Sequence, residues 1–164
     1  MPIVKLNNID IYYELHGQGE PMLLIAGLAS DSQSWLPIIY DLSKNYQLIV
    51  FDNRGVGRTK PMNVEISLSQ MANDCKALVD YLGFKKVHLL GHSMGGMIAM
   101  ELVLRFPHLV SSLILAATSS ETTSRNKLIF NDWIKYLKDG MTADLWFRNM
   151  FYWIFSKAFF NDTE

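Results

Sequence analysis

Residues Gly91-His92-Ser93-Met94-Gly95 restrict this chain more than any other segment, because an apolar run precedes them and a helical pattern follows. Lys86–Leu90 reads as a short strand, and Met94–Phe106 repeats its apolar residues at helical spacing until Pro107. A strand that turns at once into a helix lifts the turn residue, Ser93, out of the sheet. It also leaves the first N–H groups of the helix without intrahelical partners. Gly91 and Gly95 suit such a turn, since a side chain at either position would crowd the neighbouring backbone. A serine hydroxyl is a weak nucleophile unless geometry and a base activate it. Ser93 is therefore the candidate nucleophile, and the Met94 N–H a candidate donor to a developing oxyanion. The plainer alternative is a small residue that merely fits a tight turn.

The rest of the chain frames that turn. Ile3–Leu6 and Ile9–His16 read as strands joined by Asn7-Asn8, and Met22–Ala26 and Gln47–Phe51 as short, continuously apolar strands. Ser32–Leu42 reads as a helix with Pro37 in its first turn. Ser67–Leu82 reads as an amphipathic helix capped by Ser67 and closed at Gly83. Val110–Ala116 supplies a last strand. Strands alternating with helices predict an α/β fold, a mainly parallel sheet with helices on both faces. In such sheets the chemistry gathers at the carboxyl ends of the strands, where Ser93 falls.

Composition excludes several function classes. With 164 residues, 49% hydrophobic and 19% charged, the chain is globular, and its net charge of −1 offers no footprint for nucleic acid. No apolar run approaches the ~20 residues that cross a bilayer. One cysteine, Cys75, falls on the apolar face of the Ser67–Leu82 helix and is expected to be a buried thiol. With no signal-peptide pattern at the N-terminus, a cytoplasmic location is the default expectation.

From Thr118 to Ser124 the chain turns polar and reads as a solvated connector. Beyond it, Asn126–Phe160 is rich in aromatics, and Gly140 divides it into two expected helices. The expected division is 1–120 for the core and 121–164 for a partial helical cap. Leu145–Phe160 could instead lie on a membrane surface, though its aromatic stripe is more simply a cap over an apolar pocket; Trp35, Met94, Trp133 and Phe147 suggest such a pocket, while aromatics at a fold's mouth are more often plain core.

These elements resemble the α/β-hydrolase fold, in particular its small serine esterases, enol-lactonases and cofactor-free haloperoxidase-like enzymes. The anchors are Gly91–Gly96, the Asp52-Asn53-Arg54-Gly55-Val56-Gly57 loop, and Ile25-Ala26-Gly27-Leu28. The resemblance implies that Leu28 gives the second oxyanion N–H beside that of Met94, and that Asp52 and Arg54 are scaffold. Ala26 stands where the family usually has a histidine that braces this loop. The implied activity is cleavage of a small-molecule carboxylic ester or lactone through an acyl-enzyme on Ser93, with no cofactor and no metal. An acyltransferase or perhydrolase on the same fold is the nearest alternative; a non-catalytic fragment or binding module is the other.

The family's triad runs serine, acid, histidine in chain order. His16 ends an N-terminal strand, His88 begins the strand before the elbow and so lies at the wrong end of the sheet, and His92 is expected to turn into the fold. His108 follows the elbow helix by roughly 15 residues, ~20 Å from Ser93 at 1.5 Å per residue. None is placed as a base, and Glu121, where some relatives carry the acid, has no histidine to orient. The expectation is an N-terminal portion holding strands 1–6 and the start of a cap, without the triad acid and histidine. Such a portion leaves Val110–Ala116 at a sheet edge and predicts a homo-oligomer or swapped dimer.

Overall fold

A computed structural model describes residues 2–161. The backbone separates into two compact units, Met1–Ser120 and Glu121–Glu164. The first is built from β1 (Ile3–Leu6), β2 (Ile9–His16), β3 (Glu20–Ile25), α1 (Leu36–Leu42), β4 (Tyr46–Phe51), α2 (Leu68–Tyr81), β5 (Val87–His92), α3 (Met94–Arg105) and β6 (Val110–Ala116). Single 3-10 turns at Ser32–Trp35 and Pro107–Leu109 precede α1 and β6.

The strands form one sheet in the order β1-β2-β4-β3-β5-β6. The β1–β2 and β2–β4 pairs are antiparallel, so β2 runs against its neighbours on both sides; the β1–β2 turn at Asn7 and Asn8 puts both residues at positive φ, 48° and 63°, which asparagine tolerates. From β4 onward the pairs are parallel, so each crossover must be covered by a helix. One face packs Ile9, Ile11, Leu23, Ile25, Ile49, Phe51 and Leu89 against the apolar faces of α2 and α3. The other packs Met22, Leu24, Leu48, Val50 and Leu90 against Trp35, with Ile39 and Leu42 of α1 beside them. This two-sided cover explains why β3 and β4 are apolar without alternation.

Some boundaries differ from expectation. The expected Ser32–Leu42 helix is a 3-10 turn capped by Asp31 and followed by α1, with Pro37 in the first turn of α1. β3 starts earlier, at Glu20, because the ladder pairs Glu20 with Tyr46 ahead of the apolar run. β5 extends to His92. Cys75 is fully buried on α2, and burial pushes its thiol well above the ordinary range.

The second unit holds α4 (Ser124–Lys138), α5 (Ala143–Ile154) and α6 (Lys157–Asn161). Gly140, at φ 91°, ends α4 where a side chain would be strained. Thr123 and Thr142 cap α4 and α5 through their hydroxyls. The Trp133 indole donates to Asn149 Oδ1 (2.9 Å), and the Trp146 indole donates to the Trp133 carbonyl (3.1 Å). Two helices were expected here, and three are observed among the described residues. The chain is extended at Phe155 (ψ 147°), which separates α5 from α6 without any glycine or proline to announce it. Among the described residues no helix is long and apolar enough to cross a membrane.

Candidate active site

The elbow begins where β5 ends. Ser93 has φ 53° and ψ −120°, a conformation L-residues rarely adopt and one that surrounding structure must hold. The restraints are visible. The Ser93 N–H donates to the Ala116 carbonyl at the end of β6 (2.9 Å). The Ser93 carbonyl accepts from the Gly96 N–H (2.9 Å) and from the Thr118 hydroxyl (2.7 Å). The backbone is thus pinned on both sides of Ser93, and α3 starts at once with Met94.

Close approach also explains the flanking glycines. A Cβ on Gly95 would lie 1.9 Å from the Ile25 carbonyl oxygen, and one on Gly91 would lie 2.6 Å from the Gly95 carbonyl oxygen. Neither distance is tolerable, so α3 rests directly on the end of β3. That contact brings the loop after β3 beside the serine: a Cβ on Gly27 would be 3.2 Å from Ser93 Cβ. Leu28 follows in a tight turn, closed by the Ser30 N–H to the Gly27 carbonyl (3.3 Å), with Ala29 at φ 55°. Leu28 is exposed, whereas Ser93 and Met94 are half-buried.

Asn53 anchors this loop from a separate strand end. Its amide Nδ2 donates to the Ala26 carbonyl (3.1 Å), and the side chain is fully buried. The brace expected from a histidine at position 26 thus comes from the neighbouring loop. Nothing at position 53 announces this in the sequence, except that asparagine there is a buried polar residue in need of a partner. Thr118 is the second residue missed: read as the start of a solvated connector, it clamps the elbow carbonyl.

The Asp52–Thr59 loop is tied down by charge. Asp52 is fully buried and accepts from the Ser32 N–H (2.8 Å), the Arg58 N–H (2.7 Å) and the Arg58 guanidinium (3.2 Å). Burial alone would raise its pKa, yet these donors outweigh it and hold the carboxyl below the usual range. Arg54 pairs with Asp74 through Nε (2.8 Å) and Nη2 (3.0 Å), with both side chains buried. Asp52 and Arg54 are spent on the scaffold.

The histidines are scattered. His16 pairs with Glu14 (2.9 Å), and His88 lies between Glu20 and Ser112. His108 is in the turn beyond α3. His92 was expected to turn into the fold but is exposed, its ring edge-on to Trp35 at 6.5 Å. Strand alternation puts it on the Trp35 face, past the end of the packed sheet. Among the described residues no histidine is hydrogen-bonded to Ser93.

Known proteins resemble this chain in sequence and in fold. The family model described as the alpha/beta hydrolase fold matches residues 20–155. The protein named "Putative carbamate hydrolase RutD" of Azorhizobium caulinodans is 38% identical over 115 residues, covering 70% of this chain and 43% of its own length. "Putative non-heme bromoperoxidase BpoC" of Mycobacterium tuberculosis H37Rv is 37% identical over 126 residues, covering 75% and 47%. Among solved structures, Est816, described as an N-acyl homoserine lactone degrading enzyme, aligns with TM-score 0.72 at 26% identity, covering 83% of this chain and 54% of its own. The chain spans about half the length of these relatives. The family model matches most of the chain, and the chain belongs to the α/β-hydrolase fold family.

Proposed function

We propose that this chain carries the nucleophile and the oxyanion hole of a serine hydrolase that cleaves carboxylic esters or lactones. The observation that carries the reading is the strained Ser93 backbone at the junction of β5 and α3, with the Gly27–Leu28 loop alongside. In this reading Ser93 Oγ attacks the carbonyl carbon, and the N–H groups of Leu28 and Met94 receive the negative charge on its oxygen. Gly91 and Gly95 let the helix N-terminus come close enough to do so. The relatives' names fit, because carbamates and lactones both react by attack at a carbonyl. The helices of residues 121–164 are read as part of a cap. The proton acceptor and its acid are assigned to the part of the relatives' length that this chain does not span.

The test supplies the missing base from solution. The chain is incubated with p-nitrophenyl butyrate and increasing imidazole, and peptide mass spectrometry follows the acyl adduct on Ser93. The adduct should rise with imidazole and vanish in Ser93→Ala. Without imidazole, turnover should remain within the ~10³–10⁴-fold over water left to enzymes stripped of a triad member. No adduct on Ser93 at any imidazole concentration overturns the proposal.

A further inference from the structure

Away from the elbow, β3, β5 and β6 align three side chains on the sheet face that carries Leu24 and Leu90. Parallel pairing sets His88 opposite Ser112 and Met22, and Glu20 is two residues before Met22 on the same face. The side chains meet: His88 Nδ1 is 2.7 Å from Ser112 Oγ, and His88 Nε2 is 3.0 Å from Glu20 Oε2. The Tyr46 ring stands edge-on to the imidazole at 5.7 Å. The His88 side chain is only 19% exposed, so its ring is held, while Ser112 is open to solvent.

The geometry points to a second nucleophilic site, formed by Ser112, His88 and Glu20 and independent of Ser93, that accepts short activated esters such as aryl acetates. Glu20 accepts a hydrogen bond from Nε2–H, which favours the tautomer with the Nδ1 lone pair facing the Ser112 hydroxyl, the one a general base needs. In the first step Ser112 Oγ bonds to the acyl carbon, the bond to the aryl oxygen breaks, and the hydroxyl proton passes through Nδ1 to the departing phenolate. A water molecule then attacks the acyl-serine, its proton passes through Nδ1 back to Ser112 Oγ, and the carboxylic acid leaves. The site lies on an open strand face, which suits small substrates with good leaving groups over long acyl chains.

The test is a fluorophosphonate probe with labelling rates resolved residue by residue by fragmentation mass spectrometry. Ser111, exposed on the same strand but facing the other side, is the internal reference. Phosphonylation forms the Oγ–P bond, expels fluoride and sends the proton to His88. Ser112 should label about 10²-fold faster than Ser111, the lower end of general-base catalysis. His88→Gln should bring Ser112 down to the Ser111 rate, and Glu20→Gln should slow it severalfold. A ratio below tenfold in the unmodified chain overturns the proposal, and that ratio requires no variant to fold. Ser93 lies on a different peptide, so the fate of the elbow reading is scored separately.

Discussion

Replacing Ser93 by glycine is expected to make the first unit more stable than replacing it by alanine. Both changes remove the hydroxyl, so any cost of losing it cancels in the comparison. Alanine must still adopt φ 53° and ψ −120°, which glycine accepts freely. A residue held in such a region carries on the order of 1–3 kcal/mol of strain. Glycine loses roughly 0.5–1 kcal/mol more conformational freedom on folding than alanine. The difference leaves Ser93→Gly ahead by about 1 kcal/mol, or ~2–4 °C for a chain of this size. The bonds to Ala116, Gly96 and Thr118 involve the Ser93 backbone and survive both changes. Urea titration read by hydrogen exchange of β5 and α3 amides isolates the first unit from the second. If Ser93→Gly unfolds at the same urea concentration as Ser93→Ala, or at a lower one, the elbow is unstrained and the reasoning fails.

Gly95→Ala, whose Cβ would meet the Ile25 carbonyl at 1.9 Å, should cost at least about 3 kcal/mol, whereas Gly83→Ala, with open space at φ 80°, should cost about 1–2; urea midpoints compare them. Asp74→Ala strands the buried Arg54 guanidinium and should cost about 3–5 kcal/mol, while Asp41→Ala, which breaks an exposed pair with Lys44, should stay under ~1. Asp52 is held below its unfolded value of about 3.9, so its contribution is complete above that pH and fades as acid brings the solution down through the folded value. Urea midpoints between pH 5 and 2.5 should therefore fall more steeply for the parent chain than for Asp52→Asn. Ile114 and Leu115 of β6 face opposite sides of the sheet, each 45% exposed, on a strand whose outer edge pairs with no other among the described residues. Sedimentation equilibrium at micromolar concentration should show self-association that Leu115→Lys weakens; a monomeric parent chain refutes this.

Most of the first unit was legible because its signals are local. Ile3–Leu6, Ile9–His16 and Val110–Ala116 match the observed strands residue for residue, since turn residues or a polar shift bound each run. Ser67 and Gly83 mark α2 by capping chemistry, which reads from a few neighbouring residues. Ladder pairing is not local, so Glu20 and His92 joined strands that hydrophobicity alone ended sooner or began later. Asn53 and Thr118 were illegible for the same reason: each holds a backbone carbonyl that is remote in sequence, and a side chain does not name its partner. In the second unit, the aromatic run Phe151–Phe160 looks uniform, so the break at Phe155 had no residue to mark it.

The order of strands also bears on how the chain acquires its shape while it is being made. β3 is central, yet one of its neighbours, β5, lies beyond α1, β4 and α2 in sequence. At roughly 5–20 residues per second, synthesis from Ile25 to Val87 takes on the order of 3–12 s. During that interval Leu23, Leu24 and Ile25 gain β4 on one flank only after Phe51 is made, and have nothing on the other. An apolar edge that is buried in the finished fold is thus exposed on the ribosome, and a chaperone that binds extended apolar segments has its natural target there. Rare codons between Phe51 and Val87 would lengthen that exposure, while the same codons after His92 would leave it unchanged.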